Sequence, residues 1–183
     1  MNVILASQSP RRKELLGILD IPFTVRVADI DETMDRNKPP CEEVARVSRL
    51  KAKAVSAHKD DIVIAADTIV VCDGEILGKP TDKDDAYRML RMLSGRAHQV
   101  MTGITVLRGE KEITHTEVTE VFFRHLSDEE IWNYIATNEP MDKAGSYGIQ
   151  QKAALFVERI CGDYFNVVGL PVCRLGQILE EFR

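Results

Sequence analysis

The sequence predicts an α/β fold in which helices flank a mixed, twisted β-sheet and a cleft lies between two lobes. Three observations support this prediction. Strand-like runs and helical patterns are mixed along the chain. Residues 62–66 form an almost purely apolar run, as expected of a central strand covered on both faces. Turn residues at Asp73-Gly74 and at Gly109 join strand-like runs into hairpins, so the sheet should contain antiparallel pairs.

A strand and a helix are predicted at the start of the chain. The apolar run at residues 3–6 has the length of a strand, and Pro10 suits the first position of a helix. The apolar residues of that helix recur every three or four positions, at Leu15, Leu16, Ile18 and Leu19.

The first turn of this helix is basic, with Arg11, Arg12 and Lys13 in succession. Helix N-termini are partly positive and favour acidic side chains, so this charge is unfavourable unless an anion lies in front of it. Together with the hydroxyls of Ser7 and Ser9, the turn is typical of a phosphate or carboxylate site. The alternative is a surface helix with a basic start.

An acidic run follows the second predicted strand. Residues 22–28 alternate between apolar and polar side chains and lead into Asp29-Ile30-Asp31-Glu32. Such a run is most often a solvated loop, but carboxylates are also ligands that Mg²⁺ and Mn²⁺ prefer. The next helix is predicted over residues 41–57, with Lys51 among several basic residues on its outer faces.

Asp67 directly follows the apolar run at 62–66. A carboxylate at the end of a buried strand is costly unless it faces a cleft with partners, so we expect Asp67 in a functional site. The hairpin at Asp73-Gly74 should then return Gly78-Lys79-Pro80 to the neighbourhood of Asp67.

The remaining elements are predicted from capping residues and apolar periodicity. They are a helix ending at 93 with a Thr81–Asp84 capping box, strands at 100–107 and 113–123, a helix with a Ser127–Glu130 capping box, short strands at 155–157 and 164–168, and a final helix from Pro171. Residues 138–151 show little periodicity, and a loop of this length inside a compact domain is usually functional.

The composition fits one globular domain over residues 1–183, with 44% hydrophobic and 29% charged residues. A net charge of −5 argues against a general nucleic-acid binder, which would normally be basic. No segment approaches the ~20 apolar residues of a membrane span, and no signal peptide is recognisable. Because the four cysteines form no Cys-x-x-Cys pair, we expect a protein of the reducing cytoplasm.

Polar residues collect at the predicted ends of elements, namely Ser7, Ser9, Arg11, Arg12, Glu32, Lys51, Asp67, Lys79, Asp142, Lys143 and Gln150. Cations from several parts of the chain, with a few carboxylates, suit a polyphosphate bound together with a divalent ion. Phosphoryl chemistry needs neutralised phosphate oxygens and an oriented nucleophile. The chain has no P-loop, no Gly-x-Ser-x-Gly elbow and no His-Glu-x-x-His zinc motif.

The sequence resembles the Maf family of nucleotide pyrophosphatases, first described as septum-formation inhibitors. The resemblance begins at Ser7-Gln8-Ser9-Pro10-Arg11-Arg12. It continues through Ala66-Asp67-Thr68, Gly78-Lys79-Pro80, Leu93-Ser94-Gly95, Thr102-Gly103, residues 139–145 and residues 166–171. Several separated motifs in the same order are far more specific than any one of them.

This resemblance implies a Maf/ITPase-like fold and hydrolysis of a nucleoside triphosphate between its α- and β-phosphates. It implies that Asp67 accepts the proton of the attacking water, and that Glu32 and Asp67 hold Mg²⁺ or Mn²⁺. Lys79 completes the implied catalytic set. The triphosphate would be held by Ser7, Arg11, Arg12, Lys51 and Lys79.

Three positions bear on the choice of nucleotide. Arg11, Thr68 and Gln150 match the branch of the family that is similar to dTTP/UTP pyrophosphatases. A Gln amide offers both a donor and an acceptor, which suits the N3–H and O4 edge of thymine or uracil. Since one methyl group is worth only ~1–3 kcal/mol in a pocket, both bases should be accepted.

Two other functions are weighed against this one. The first is a pyrophosphatase for other nucleotides such as ITP or 7-methyl-GTP. The second is a nucleotide-binding regulator of cell division that need not hydrolyse its ligand. The expected partner is a small-molecule nucleoside triphosphate, with no nucleic acid and no membrane, and a homodimer is left open.

Overall fold

A computed structural model describes residues 2–183, which form one seven-stranded sheet and six α-helices. The strands are β1 Val3–Leu5, β2 Phe23–Val25, β3 Ile62–Cys72, β4 Glu75–Leu77, β5 Ala97–Arg108, β6 Lys111–Phe123 and β7 Val157–Cys161. The helices are α1 Pro10–Gly17, α2 Pro40–Ala54, α3 Lys83–Leu93, α4 Asp128–Ile135, α5 Tyr164–Val168 and α6 Val172–Glu180.

The sheet is mixed, as predicted. Its strand order is β2-β1-β3-β5-β6-β7, and β4 pairs with β3 beside this path. β1 is parallel to β2 and to β3, whereas the pairs β3–β4, β3–β5, β5–β6 and β6–β7 are antiparallel. The predicted hairpins around Asp73-Gly74 and Gly109 are therefore confirmed.

One edge of β3 has a gap between its two neighbours. β1 pairs only with residues 62–64, and β4 pairs only with residues 70–72. Within residues 2–183, no strand pairs with residues 65–69 on that side, although β5 continues to pair with them on the other. The gap gives side chains from both faces of β3 access to the same space, and a cleft lined by both faces lies there.

The two faces of the sheet carry different helices. On one face, α2 contributes Val44 and Ala52 to small apolar clusters with odd-numbered residues of β3. On the other face, apolar residues of α1, α3, α4 and α6 form a large core with even-numbered residues of β3. Alternation along a strand produces this division. The cleft opens between these two sides.

Several local predictions need correction. Asp67 does not end a strand, because β3 runs unbroken from Ile62 to Cys72. Residues 164–168 form a helix capped by Asp163, and the strand expected at 155–157 begins at Val157. The predicted Thr81–Asp84 capping box is wrong, because Asp82 caps α3 by accepting from the Asp85 amide, and the Asp85 carboxylate accepts from the Thr81 amide at 3.0 Å.

Other predictions are confirmed. The Ser127–Glu130 capping box is formed in both directions, and Ser94-Gly95 ends α3 with Gly95 at φ 67°. The final helix buries Leu175, Ile178 and Leu179. No helix within residues 2–183 combines the length and the apolar character needed to cross a bilayer.

Candidate functional site

The cleft at the gap of β3 has a volume of about 1010 Å³. It is lined by parts of the chain that are distant in sequence, from residues 6–12, 27–36, 142–151 and 167–169 among others. The predicted site residues that line it are Ser7, Arg11, Arg12, Glu32, Lys51, Asp67, Thr68, Lys79 and Gln150. The structure therefore brings all nine of them to one cavity.

A lysine between two carboxylates marks one wall of the cleft. The Lys51 ammonium lies 2.7 Å from Oδ1 of Asp67 and 3.0 Å from Oε2 of Glu32. The side chain of Asp67 is only 11% exposed, whereas that of Glu32 is 56% exposed. A buried carboxylate of this kind requires a charged or hydrogen-bonding partner, and Lys51 provides it.

The position of Lys51 follows from the packing of α2 on the sheet. Lys51 comes one helical turn after the fully buried Val47, so it lies on the side of α2 that faces β3. Asp67 lies on the same face of β3, between Ala65 and Ile69, which belong to two separate apolar clusters. The interruption between these clusters is where the charged pair lies.

The N-terminus of α1 forms a second wall. Ser9 is the N-cap, and its hydroxyl accepts from the Arg12 amide at 3.4 Å, while Pro10 is the first helical residue. Because the hydroxyl of Ser7 accepts from the Ser9 amide at 3.2 Å, the turn between β1 and α1 is held in one conformation. Amide groups at a helix N-terminus are suited to bind an anion.

The two arginines of this turn differ in their surroundings. Arg12 donates from Nε to the Gly169 carbonyl at 2.8 Å, from one Nη to Ser7 Oγ at 3.3 Å and from the other to Thr68 Oγ1 at 2.9 Å. Burial lowers the pKa of Arg12, although the nearby carboxylate of Asp67 opposes this effect. Arg11 makes one long contact, 3.5 Å to Oδ2 of Asp142. Arg11 therefore has more donors left for a ligand than Arg12.

The segment 138–151 forms a rim of the cleft and contains two short 3₁₀ turns, Glu139–Asp142 and Ala144–Ser146. Lys143 is buried, and its ammonium donates to the Glu139 carbonyl at 2.6 Å and to Asp142 Oδ1 at 2.8 Å. Although burial alone would raise the pKa of Asp142, the hydrogen bond from Lys143 and the charge of Arg11 hold it below its ordinary value. A Cβ at Gly148 would lie 2.6 Å from Cε of Lys143, so a larger residue there would displace the end of the Lys143 side chain.

Lys79 and Gln150 are exposed at the mouth of the cleft. Within residues 2–183, neither side chain forms a hydrogen bond or an ion pair to another residue. The Gln150 amide is therefore not held by a hydrogen bond to its own loop. Both side chains are available to a ligand.

The donors present suit a divalent cation that takes part of its coordination from its substrate. Glu32 and Asp67 converge on the Lys51 ammonium, so their oxygens already surround a positive charge. No group of three or more Asp, Glu, His or Cys side chains suited to a metal occurs among residues 2–183. Mg²⁺ is commonly held by one or two carboxylates, with phosphate and water completing its shell, and two carboxylates fit that pattern.

Sequence reasoning missed the residues behind the cleft. Thr68 Oγ1 lies 2.9 Å from Thr102 Oγ1, and Thr102 donates to the Asn166 carbonyl at 3.1 Å. In the sequence, Thr102-Gly103 stands out only as part of a motif, and the pattern at 164–168 predicts a strand at Asn166. The register that pairs Thr68 with Thr102 depends on the fold, so no local pattern signals this contact.

The chain is similar to known proteins over almost its whole length. A family model described as "Maf-like protein" matches residues 2–182. A protein of Bacillus cytotoxicus named "dTTP/UTP pyrophosphatase" is 52% identical over 180 residues, which are 98% of this chain and 94% of that protein. A protein of the same name from Alkaliphilus oremlandii is 56% identical over 183 residues, covering 98% and 95% of the two chains.

A solved structure gives the likeness in fold. The structure of a HAM1 protein from Coxiella burnetii superimposes with a TM-score of 0.51 over 99% of both chains, at 18% sequence identity. At that identity the likeness concerns the arrangement of strands and helices alone.

Proposed function

This chain belongs to the Maf family, and from that premise we propose that it hydrolyses dTTP and UTP to the nucleoside monophosphate and pyrophosphate. The observation that carries this conclusion is the identity of about half of the residues, over nearly the full length, with proteins named dTTP/UTP pyrophosphatase. The protein is accordingly a hydrolase acting on an acid anhydride, and its substrate is a small-molecule nucleotide.

The triphosphate is proposed to lie against the N-terminus of α1, with Arg11 and Lys79 as its main cationic ligands. The half-buried Arg11 and the exposed Lys79 both line the cleft, and the first turn of α1, which also lines it, offers amide donors. Fixed positive charge at this place stabilises the negative charge that accumulates on pyrophosphate as it leaves. Ser7, Arg12 and Lys51 complete the proposed binding set.

Asp67 is proposed to accept the proton of the attacking water. It is buried, it lines the cleft and it is held by the Lys51 ammonium at 2.7 Å. A carboxylate fixed in this way orients a water molecule for attack at the α-phosphate. Lys51, which also contacts Glu32 at 3.0 Å, keeps the two carboxylates at the same wall.

Glu32 and Asp67 are also the proposed ligands of Mg²⁺ or Mn²⁺. When bound, such an ion neutralises charge on phosphate oxygens and lowers the pKa of a coordinated water. The carboxylate oxygens of Glu32 and Asp67 would then be shared between this ion and the Lys51 ammonium.

Gln150 is the proposed reader of the base. Its amide is exposed in the cleft and lies two residues after Gly148, which belongs to the rim. One amide can donate to O4 and accept from N3–H of thymine or uracil. Thr68 is the other residue proposed to face the nucleoside, whereas Arg11, which matches the same branch of the family, is assigned to the phosphates.

Pyrophosphate release from a panel of dTTP, UTP, CTP, ITP, GTP and 7-methyl-GTP, with Mg²⁺ or Mn²⁺, tests the proposal. We expect dTTP and UTP to have the highest kcat/KM. A preference for ITP or 7-methyl-GTP would favour the other enzymatic function, and binding of dTTP without turnover would favour a regulator. A single domain over 1–183, a cytoplasmic location and the choice between monomer and homodimer stay predictions.

A further inference from the structure

We propose that Thr102 is a positioning residue which fixes the hydroxyl of Thr68 as a hydrogen-bond acceptor toward the nucleotide. This inference rests on the proposed function. Thr68 lines the cleft and is partly exposed, whereas Thr102 is fully buried behind it. Thr102 therefore acts on a ligand only through Thr68.

Three consecutive hydrogen bonds link Arg12 to Asn166 through Thr68 and Thr102, and the groups at the two ends determine their direction. At one end, an Nη of Arg12 contacts Thr68 Oγ1 at 2.9 Å, and a guanidinium can only donate. At the other end, the Asn166 carbonyl lies 3.1 Å from Thr102 Oγ1, and a carbonyl can only accept. The two hydroxyls lie between these ends, 2.9 Å apart.

Only one arrangement satisfies all three contacts. Each hydroxyl has a single hydrogen, and Thr102 uses its own to donate to Asn166. Thr68 must then donate its hydrogen to Thr102, and it accepts from Arg12. What Thr68 retains for a ligand is one lone pair, so it can accept from a nucleotide but cannot donate to one.

This polarity determines which part of the substrate Thr68 can bind. The oxygens of a metal-bound triphosphate are acceptors and gain nothing from Thr68. A group that carries hydrogen fits, and UTP and dTTP each have two kinds, the N3–H of the base and the hydroxyls of the sugar. Thr68 therefore recognises a nucleoside donor, whereas Arg11 and Lys79 are left for phosphate.

The chain of hydroxyls is fixed at its buried end. Thr68 and Thr102 are directly opposite each other in the β3–β5 register. The side-chain amide of Asn166, which is fully buried, donates to the Val100 carbonyl at 3.1 Å and to Thr119 Oγ1 at 3.0 Å. These bonds attach α5 to β5 and β6, so the Asn166 carbonyl that orients Thr102 cannot move independently of the sheet.

The test combines Thr102→Val with nucleotides that lack one donor each. The substrates are UTP, N3-methyl-UTP, dTTP and 3′-deoxy-dTTP, with inhibition constants measured where an analogue is not turned over. For UTP and dTTP we expect kcat/KM to fall about tenfold, the scale of one hydrogen bond in a closed site. The analogue that already lacks the recognised donor should lose less than about threefold on the same scale.

The two analogues distinguish the source of the donor. If N3-methyl-UTP is the nucleotide that is spared, the base edge donates to Thr68. If 3′-deoxy-dTTP is spared, the sugar hydroxyl does. Equal losses for all four nucleotides would overturn the proposal.

Thr105→Val is the matched control, because Thr105 is a fully buried threonine of the same strand that does not line the cleft. Its hydroxyl lies 2.8 Å from Ser48 Oγ and 3.0 Å from Thr114 Oγ1, so the same kind of contact is lost. We expect Thr105→Val to leave the ratios of kcat/KM among the four nucleotides unchanged.

Thr102→Ser, which keeps the hydroxyl, should have the wild-type ratios of kcat/KM. A Thr102→Val pattern identical to that of Thr105→Val would refute a positioning role.

A double-mutant cycle separates positioning from general stability. If Thr102 acts through Thr68, the double variant Thr68→Val/Thr102→Val should have the same kcat/KM for UTP as Thr68→Val alone. If the fold-losses in kcat/KM of the two single variants multiply in the double variant, the proposal is contradicted.

Should Thr102→Val fail to fold, the effect of Thr68→Val on the four nucleotides decides, since equal losses of kcat/KM would exclude the acceptor role. Wild-type turnover of UTP and dTTP is measured first, so a failure of the proposed function is recognised separately.

Discussion

At the residue scale, the proposed chemistry depends on the carboxylate of Asp67. Asn is nearly isosteric with Asp and cannot accept a proton, so Asp67→Asn should leave the fold intact and lower kcat for dTTP by ~10²–10⁴-fold. Pyrophosphate release and thermal unfolding measure the two effects. Asp60→Asn, at an exposed carboxylate two residues before β3, is the control and should retain activity. Near-wild-type turnover by Asp67→Asn would remove Asp67 from the catalytic set.

Gln150 offers a prediction about the base. In Gln150→Glu, a carboxylate replaces the amide donor and faces the O4 acceptor of thymine or uracil. Once the base covers this position, an unpaired polar group there costs ~1–3 kcal/mol, so kcat/KM for dTTP should fall by about one to two orders of magnitude. The ratio of kcat/KM for dTTP to that for 7-methyl-GTP is the measurement, and the exposed neighbour Gln151→Glu is the control. An unchanged ratio in Gln150→Glu would exclude base recognition by this residue.

His98 makes the stability of the fold depend on pH. It is buried, its Nε2 lies 2.7 Å from the Tyr147 hydroxyl, and burial lowers its pKa to about 4. An unfolded His has a pKa near 6.5, so between these values the unfolded chain binds more protons and stability falls as pH falls. From pH 7.5 to pH 5, His98 should contribute a loss of about 2 kcal/mol in the free energy of unfolding.

Urea unfolding of the wild type and of His98→Gln at these two pH values measures this contribution. The loss on acidification should be smaller in His98→Gln, because Gln does not titrate. His125→Gln, at an exposed histidine, should keep the wild-type dependence. An identical loss in the wild type and in His98→Gln would show that other groups are responsible.

At the scale of elements, Gly103 determines how closely α2 approaches the sheet. A Cβ at this position of β5 would lie 2.5 Å from the Val44 carbonyl oxygen and 2.8 Å from its carbon. These are backbone atoms of α2, so no side-chain rotation can relieve the contact. Gly103 is also paired with Asp67 in the β3–β5 register, so the close approach occurs where Lys51 has to reach its partner.

Gly103→Ala should therefore displace α2 and with it Lys51. Overpacking of this kind costs ~1–3 kcal/mol, and we expect that loss in the free energy of unfolding together with a lower kcat for dTTP. Gly17→Ala is the control, because a Cβ there has no neighbour within 4 Å. Wild-type stability and activity in Gly103→Ala would contradict the packing argument.

The errors of sequence-based prediction at this scale have physical causes. The polar pair Asp67-Thr68 resembles a strand end, but nine consecutive pairs with β5 hold β3 straight through it. Tertiary pairing outweighs local pattern at such positions. At α5, aromatic and β-branched residues favour a strand, whereas the Asp163 cap and the Gly169 carbonyl bound by Arg12 stabilise a short helix.

Several residues that line the cleft stand out in the sequence, whereas some of the elements around them are predicted wrongly. Arg11 and Asp67, which both line the cleft, stand in local patterns that are unfavourable without a charged partner, and those patterns are visible in the sequence. Thr102 could not be found in this way, because a threonine in a strand is ordinary and its role depends on the register with Thr68. Residues that act through another residue become visible only in the fold.

At the scale of the whole molecule, the gap beside β3 explains how one cleft collects residues from both faces of the sheet. Asp67 and Thr68 are adjacent and point to opposite faces, yet both line the cleft. One face carries α2 with Lys51, and the other carries α1, α5 and the rim at 138–151. A bound nucleotide would therefore contact both sides, with its phosphates and its nucleoside recognised by different parts of the chain.

This arrangement predicts that a nucleotide stabilises the molecule as one unit. Apolar residues from β1 to α6 belong to one continuous core, so thermal unfolding should be a single transition. α,β-Imido-dUTP, which resists hydrolysis, should add about 2.7 kcal/mol at a concentration of 100 times its Kd. For a chain of this length that raises Tm by about 5–10 °C.

Arg11→Ala and Lys79→Ala should reduce this increase in Tm at the same concentration of the nucleotide. Lys13→Ala should not, because Lys13 is exposed on α1 and does not line the cleft. Two separate transitions, or an undiminished shift in Arg11→Ala, would contradict a nucleotide bound across both sides through its phosphates.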